Sequence, residues 1–206
     1  MKDFLDVFNQ AKERVNFKLP TSWLEKLQVC YSEPHRTYHT ISHVTNLLSL
    51  LISHVHSTQF PHLVFLAICF HDAVYDTNAK DNEVKSVELF HETAGCDIDT
   101  TDRDVVDAMI LSTINHHPLP VNASYQRDLE LFLDFDLQVL TWTWDTYEAY
   151  SRQIRIEYAQ FGDEKFREGR MGVLKRFLAR DRLFFCMSDW EASARANLER
   201  ELSQWN

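Results

Sequence analysis

Apolar residues along this chain recur mostly at helical spacing. Val44, Leu47, Leu48, Leu51 and Val55 stand at i, i+3, i+4, i+7 and i+11, a single stripe down one helix. Val105, Met109 and Ile110 repeat the pattern over a shorter stretch, and Phe177, Leu178, Phe184 and Phe185 load the C-terminal region. The run 63–70 is apolar on every side, which fits either a central helix or a buried strand. Pro61 suits the first turn of a helix through that run. Ser22 with Glu25, and Asp145 with Glu148, have the spacing of capping boxes. Breaks fall near 19–20, 33–34, 59–61, 77–81, 95–100 and 117–122. The pattern predicts an all-α, single-domain helical bundle over residues 1–206, with roughly nine or ten helices joined by short loops.

Composition narrows the function classes. A hydrophobic content of 45% supports a sizeable core, and only 4 Gly and 5 Pro disfavour an all-β chain with its many tight turns. A formal net charge of −10 argues against a nucleic acid polymer as partner, because such partners need basic surface. Small anionic substrates stay compatible, since a local cationic pocket or a metal reverses the field. The longest apolar run, 63–70, is far shorter than the ~20 residues of a membrane span, so no membrane partner is expected. Met1 to Phe4 lead into an amphipathic segment without a secretory pattern, and Cys30, Cys69, Cys96 and Cys186 form no paired motif. A cytoplasmic protein with free thiols is expected. Its oligomeric state, homo-oligomer included, is left open.

The histidines are unevenly placed. All 10 fall between His35 and His117. His71 and Asp72 end the apolar run, where both side chains can enter a cavity and grip one divalent cation. His39 and His43 are four apart and, on a helix, would share a face that Leu47 and Leu51 continue inward. Buried imidazoles need polar partners, and a metal supplies one. Asp134 and Asp136 stand among Leu and Phe at 132–137. There a carboxylate is either a helix cap or a ligand of something cationic; the preferred reading has Asp134 capping a helix that begins here and Asp136 turning inward. His116 and His117 precede a forced stop at Pro118. His54, His56, His62 and His91 read as ordinary surface residues, and 161–170 as a solvated helix or loop.

The order His43, His71-Asp72, Asp136 resembles the HD superfamily of metal-dependent phosphohydrolases. Small stand-alone members are most similar, through YSEPHRTYH at 31–39, FHDAVYD at 70–76, DNE at 81–83, LDFDL at 133–137 and ARANL at 194–198. The resemblance covers nearly the whole chain and implies an HD-type all-α fold. It implies His43, His71, Asp72 and Asp136 as metal ligands, with Asp72 also catalytic. The YHxxxH segment is also similar to that of cyclic nucleotide phosphodiesterases, which implies His39 as proton donor. One departure stands out. A glutamate that follows the doublet closely in many HD enzymes has no counterpart here, so its role is unfilled or moves to Asp76 or Glu83.

Mixed imidazole and carboxylate ligation suits a divalent metal ion such as Mn²⁺, Fe²⁺, Co²⁺, Ni²⁺ or Zn²⁺, with Mg²⁺ also compatible. Such an ion lowers the pKa of a water from about 15.7 toward 7 and polarises a phosphoryl oxygen. The expectation is hydrolysis of a phosphomonoester or phosphodiester of a small phosphorylated substrate, a nucleotide in the first instance. His39 or a nearby carboxylate, Glu83 among them, would protonate the leaving oxygen. Arg36 and His116 are candidate substrate contacts, Arg36 as a phosphate clamp or as a partner of Glu33. His116 and His117 could instead hold a second metal, and Lys80 and Lys85 read as solvated loop charges. The competing expectation is a metal-containing module that senses a nucleotide without turning it over.

Overall fold

Helix α4 (Pro61–Phe70) resolves the ambiguity of the apolar run, since Leu63 through Phe70 are all at most 1% exposed. This computed structural model describes residues 3–205, so Met1, Lys2 and Asn206 lie outside the described residues, including the start of the stretch from which no leader is expected. Around α4 stand α1 (Phe4–Arg14), α3 (Ile41–His54), α5 (Asn82–Glu92), α6 (Thr100–Ser112) and α7 (Ala123–Asp136), all contributing to one core. Each large apolar side chain buried there contributes about 1.5–3 kcal/mol. The remaining helices are α2 (Leu24–Cys30), α8 (Trp144–Glu157), α9 (Asp163–Leu178) and α10 (Glu191–Ser203). The described residues thus form ten α-helices and no strand, an all-α single-domain fold.

Local chemistry explains half of the ten helix starts. Asp3, Thr40, Asp99 and Asn122 each cap a helix by accepting a backbone N–H within its first turn. Pro61 occupies the first turn of α4 as expected. The fully buried Asp128 of α7 supplies a cap from outside, accepting the N–H groups of Gln59 and Phe60. The two expected capping boxes do not form. Helix α2 begins after Trp23, with no side-chain cap, because Trp23 is buried between Phe8 and Phe70 and packing sets the start. Asp145 lies inside the first turn of α8, whose N-cap position is Thr143.

A second core forms from Leu137, Val139 and Leu140, Tyr147, Leu174, Leu183 and Phe184, and Ala194 and Leu198. A bidentate ion pair is buried within it: Arg170 Nε donates to Glu201 Oε1 at 2.8 Å and Nη2 to Oε2 at 2.9 Å. Ser151 and Tyr147 hydroxyls also donate to Glu201. The 161–170 segment is therefore not wholly solvated, since Phe166 and Arg170 are buried. A cavity of about 690 Å³ opens at the seam of the two cores.

Candidate metal centre

Three separate chain segments deliver the candidate ligand atoms. His43 sits in the first turn of α3, His71 directly follows α4, and Asp136 is the last residue of α7. His71 Nδ1 donates to the carbonyl of Ile68 at 3.1 Å, which fixes the tautomer and turns Nε2 toward the other groups. His71 Nε2 is 3.1 Å from His43 Nε2, 3.1 Å from Asp72 Oδ2 and 3.5 Å from Asp136 Oδ1. His43 Nε2 is 3.1 Å from Asp136 Oδ1 and 3.8 Å from Asp72 Oδ2. Ligands held about 2.1 Å from one ion stand about 3–4 Å apart, and these separations match that spacing. His43, His71 and Asp72 form a cluster whose donor atoms all lie within 4.8 Å of one another, close enough to hold a metal ion.

The electrostatics favour positive charge at this point. Burial disfavours charge on His71, yet Asp72 and Asp136 raise it well above the ordinary imidazole range. Burial pushes His43 down, with the Asp136 hydrogen bond only partly opposing the shift. Both carboxylates resist burial and lie below their usual range, held there chiefly by the charge of His71. Two imidazoles and two carboxylates thus meet in a site where Asp72 and Asp136 keep only a small part of their surface exposed. A cation satisfies all of them together.

His39 arrives differently from the sequence expectation. It precedes the N-cap Thr40 and lies in a turn, so it does not share a helical face with His43; the rings are 6.0 Å apart, centre to centre. Glu157, the last residue of α8, holds it in place. Oε1 of Glu157 accepts the N–H groups of Thr37, Tyr38 and His39 at 2.7–2.9 Å, and Oε2 accepts His39 Nδ1 at 2.7 Å and the Tyr75 hydroxyl at 2.9 Å. His39 lines the cavity, and Nε2 is the ring nitrogen left to face it. Burial opposes charge on His39, but Asp72 and the Glu157 hydrogen bond raise its pKa. Burial likewise works against the charged Glu157 carboxylate, and its bond to His39 prevails, holding it at about 2. Sequence reasoning missed Glu157. The available signal was its place on the buried stripe Tyr147, Tyr150, Ile154, where an apolar residue is the norm.

The other expected residues divide. Glu83 lines the cavity, as does His116, whose Nε2 lies 2.9 Å from Asp136 Oδ2 on the side away from His43. His116 adopts a left-handed backbone (φ 45°), and Arg180 donates to its carbonyl at 2.9 Å. Arg36 is not a phosphate clamp. Its side chain is wholly buried, and its donors are engaged by Glu33 and by the carbonyls of His39, Asp72 and Ala73. It fastens the His39 turn to the backbone of the doublet. Asp76 accepts from Asn78 in an exposed turn, and His117 packs on Phe185. Asp134 caps no helix start, because α7 ends rather than begins there; it accepts the N–H groups of Phe185, Cys186 and Met187. Of the remaining histidines, His54 packs on Phe135 and His91 faces Asp107.

The cavity is lined by Asp72 and Asp136, by the aromatic residues Tyr38, Tyr75, Tyr150 and Phe177, and by the cations Lys165, Arg176 and Arg180. No helix is long and apolar enough to cross a membrane among the described residues. No protein-family profile, curated protein or solved structure matches the chain.

Proposed function

We propose that this protein is a metal-dependent phosphohydrolase of the HD type, acting on a small phosphorylated metabolite. The observation that carries this reading is the convergence of His43, His71, Asp72 and Asp136 on one point beside a cavity of about 690 Å³. In this reading those four side chains hold the cation, which supplies an acidified water and a polarised phosphoryl group when bound. The protein's own residues do the rest. His39, charged more readily than a free imidazole and held by Glu157, donates a proton from Nε2 to the leaving oxygen. His116 bonds the second oxygen of Asp136 and so fixes the orientation of that carboxylate. Glu83, a carboxylate lining the cavity, takes in this reading the role of the glutamate that follows the doublet in many HD enzymes.

The test measures metal content and phosphate release on a panel of nucleotides and sugar phosphates with Mn²⁺ added. Asp72→Ala is expected to lose the metal and at least 100-fold in rate, whereas the exposed control His56→Ala keeps both within twofold. Equal metal content in the two variants would sink the ligand assignment. Full metal with no phosphate release from any compound favours the sensor alternative.

A further inference from the structure

The chain carries a formal net charge of −10, yet the cavity beside the metal centre is lined by Lys80, Lys165, Arg170, Arg176 and Arg180 against Asp72, Glu83 and Asp136. Arg170 is neutralised by Glu201, and Asp72 and Asp136 belong to the metal centre. Four cations then face one uncommitted acid. Among the described residues none of those four makes an ion pair with a carboxylate, whereas Arg155, Arg152 and Arg195 on the outer surfaces do.

Arg176 and Arg180 are the informative pair. Helix-end cations are common because they complement the helix dipole, and that alone would account for Lys175 and Arg176 alike. It does not account for Arg180, which lies beyond the helix and is held over the Phe177 ring at 4.6 Å by the carbonyls of Asn115 and His116. Burial and the neighbouring charge of Arg176 both disfavour its guanidinium charge. Two guanidinium groups set side by side without an acid are the usual preparation for a multiply charged anion. Arg180 is also one residue removed from the metal centre, since His116 connects it to Asp136.

Resting on the hydrolase reading above, we infer that the substrate carries a second anionic group, bound by Arg176 and Arg180, while its scissile phosphoryl group sits at the metal centre. The aromatic residues Tyr38, Tyr150 and Phe177 line the same cavity and accommodate a planar or apolar body attached to the two anionic groups.

Adenosine 5′-monophosphate and 5′-diphosphate serve as probes differing by one anionic group, with binding to the Mn²⁺-loaded full chain read by calorimetry. Wild type is expected to bind the diphosphate at least tenfold tighter. In Arg176→Ala/Arg180→Ala that ratio falls below threefold, with monophosphate affinity changed less than threefold. Arg176→Ala alone, an exposed change that spares the 115–116 contacts, loses part of the ratio and covers a failure of the double variant to fold. Arg167→Ala/Lys175→Ala removes the same charge away from the cavity lining and keeps the ratio. A wild-type ratio below threefold, a ratio retained in the double variant, or one lost equally in the control overturns the inference. Phosphate release without preference between the probes sinks only this inference; preference without release from any substrate sinks only the hydrolase reading.

Discussion

Glu157 uses one carboxylate oxygen on three backbone amides and the other on His39 and Tyr75, so one side chain sets both the path of the 37–39 turn and the tautomer of His39, the proposed proton donor. Glu157→Gln replaces one acceptor oxygen with an NH2 donor, so the side chain can no longer accept from both the three backbone amides and His39 Nδ1–H. The expected outcome is a fall of about 100-fold in kcat with little change in KM, since general acid catalysis contributes about 10²–10⁴-fold. Metal content should be unaltered, because no ligand atom is touched; loss of metal would show that the residue supports the centre rather than the donor. The pair also leaves a signature in stability. Glu157 is depressed in the folded protein to about 2 from 4.5, so its contribution is complete above 4.5 and lost as pH falls toward 2. His39 is raised above 6.5, so its contribution is complete below 6.5 and lost as pH climbs through the raised value. Thermal unfolding followed across pH should therefore show a shallower acid limb in Glu157→Gln than in wild type. Identical limbs would remove the pair from the account.

Helices were legible in the sequence where they bury an unbroken apolar stripe, as α3 and α4 do, and less so where tertiary packing sets their ends. The Val44–Leu51 stripe and Pro61 could be read directly, whereas the start of α2 depends on Trp23 reaching between Phe8 and Phe70, contacts that no local pattern contains. The four side chains that meet at the candidate site were legible for a chemical reason: imidazoles and carboxylates abutting apolar runs need a partner. The residues that hold them were not. Glu157, Asp128, Arg170 and Glu201 each interrupt a buried helical stripe with a charge, and each proves to be the hub of a hydrogen-bond network spanning distant segments. A periodicity search that treats charged residues as breaks in the stripe passes over such positions. Helix α4 has a further role, since it ends where His71 and Asp72 begin, with His71 N–H bonded to the Ala67 carbonyl. Leu66→Ala, wholly buried at mid-helix, is expected to cost about 2–5 kcal/mol in denaturant unfolding. A cost below ~1 kcal/mol would mean that the core around α4 collapses to fill the space.

At the scale of the whole molecule, the candidate metal centre gathers α3, the end of α4 and the end of α7 at one point, and the cavity beside it is walled by both cores. An ion that binds this arrangement and not the unfolded chain stabilises the fold by mass action, about 2.7 kcal/mol at a concentration one hundred times its Kd. For a chain of this size 1 kcal/mol moves the unfolding midpoint by about 2–4 °C, so saturating Mn²⁺ should raise Tm by about 5–10 °C. The formal net charge of −10 complicates a naive version of this experiment, because any divalent cation relieves self-repulsion to some degree. That general contribution is screened over about 8 Å at physiological ionic strength, whereas ligation at a buried site is screened far less. The comparison is therefore made at about 0.15 M salt and with Asp136→Asn, which removes one charge next to His43 and His71 and keeps the shape. Wild type should retain most of its shift under these conditions, and chelation should reverse it. Asp136→Asn should shift by no more than 1–2 °C, the amount left for diffuse surface binding. A variant that gains as much as wild type would place the stabilising ion elsewhere on this acidic surface, and the convergence of the four ligands would then have another cause.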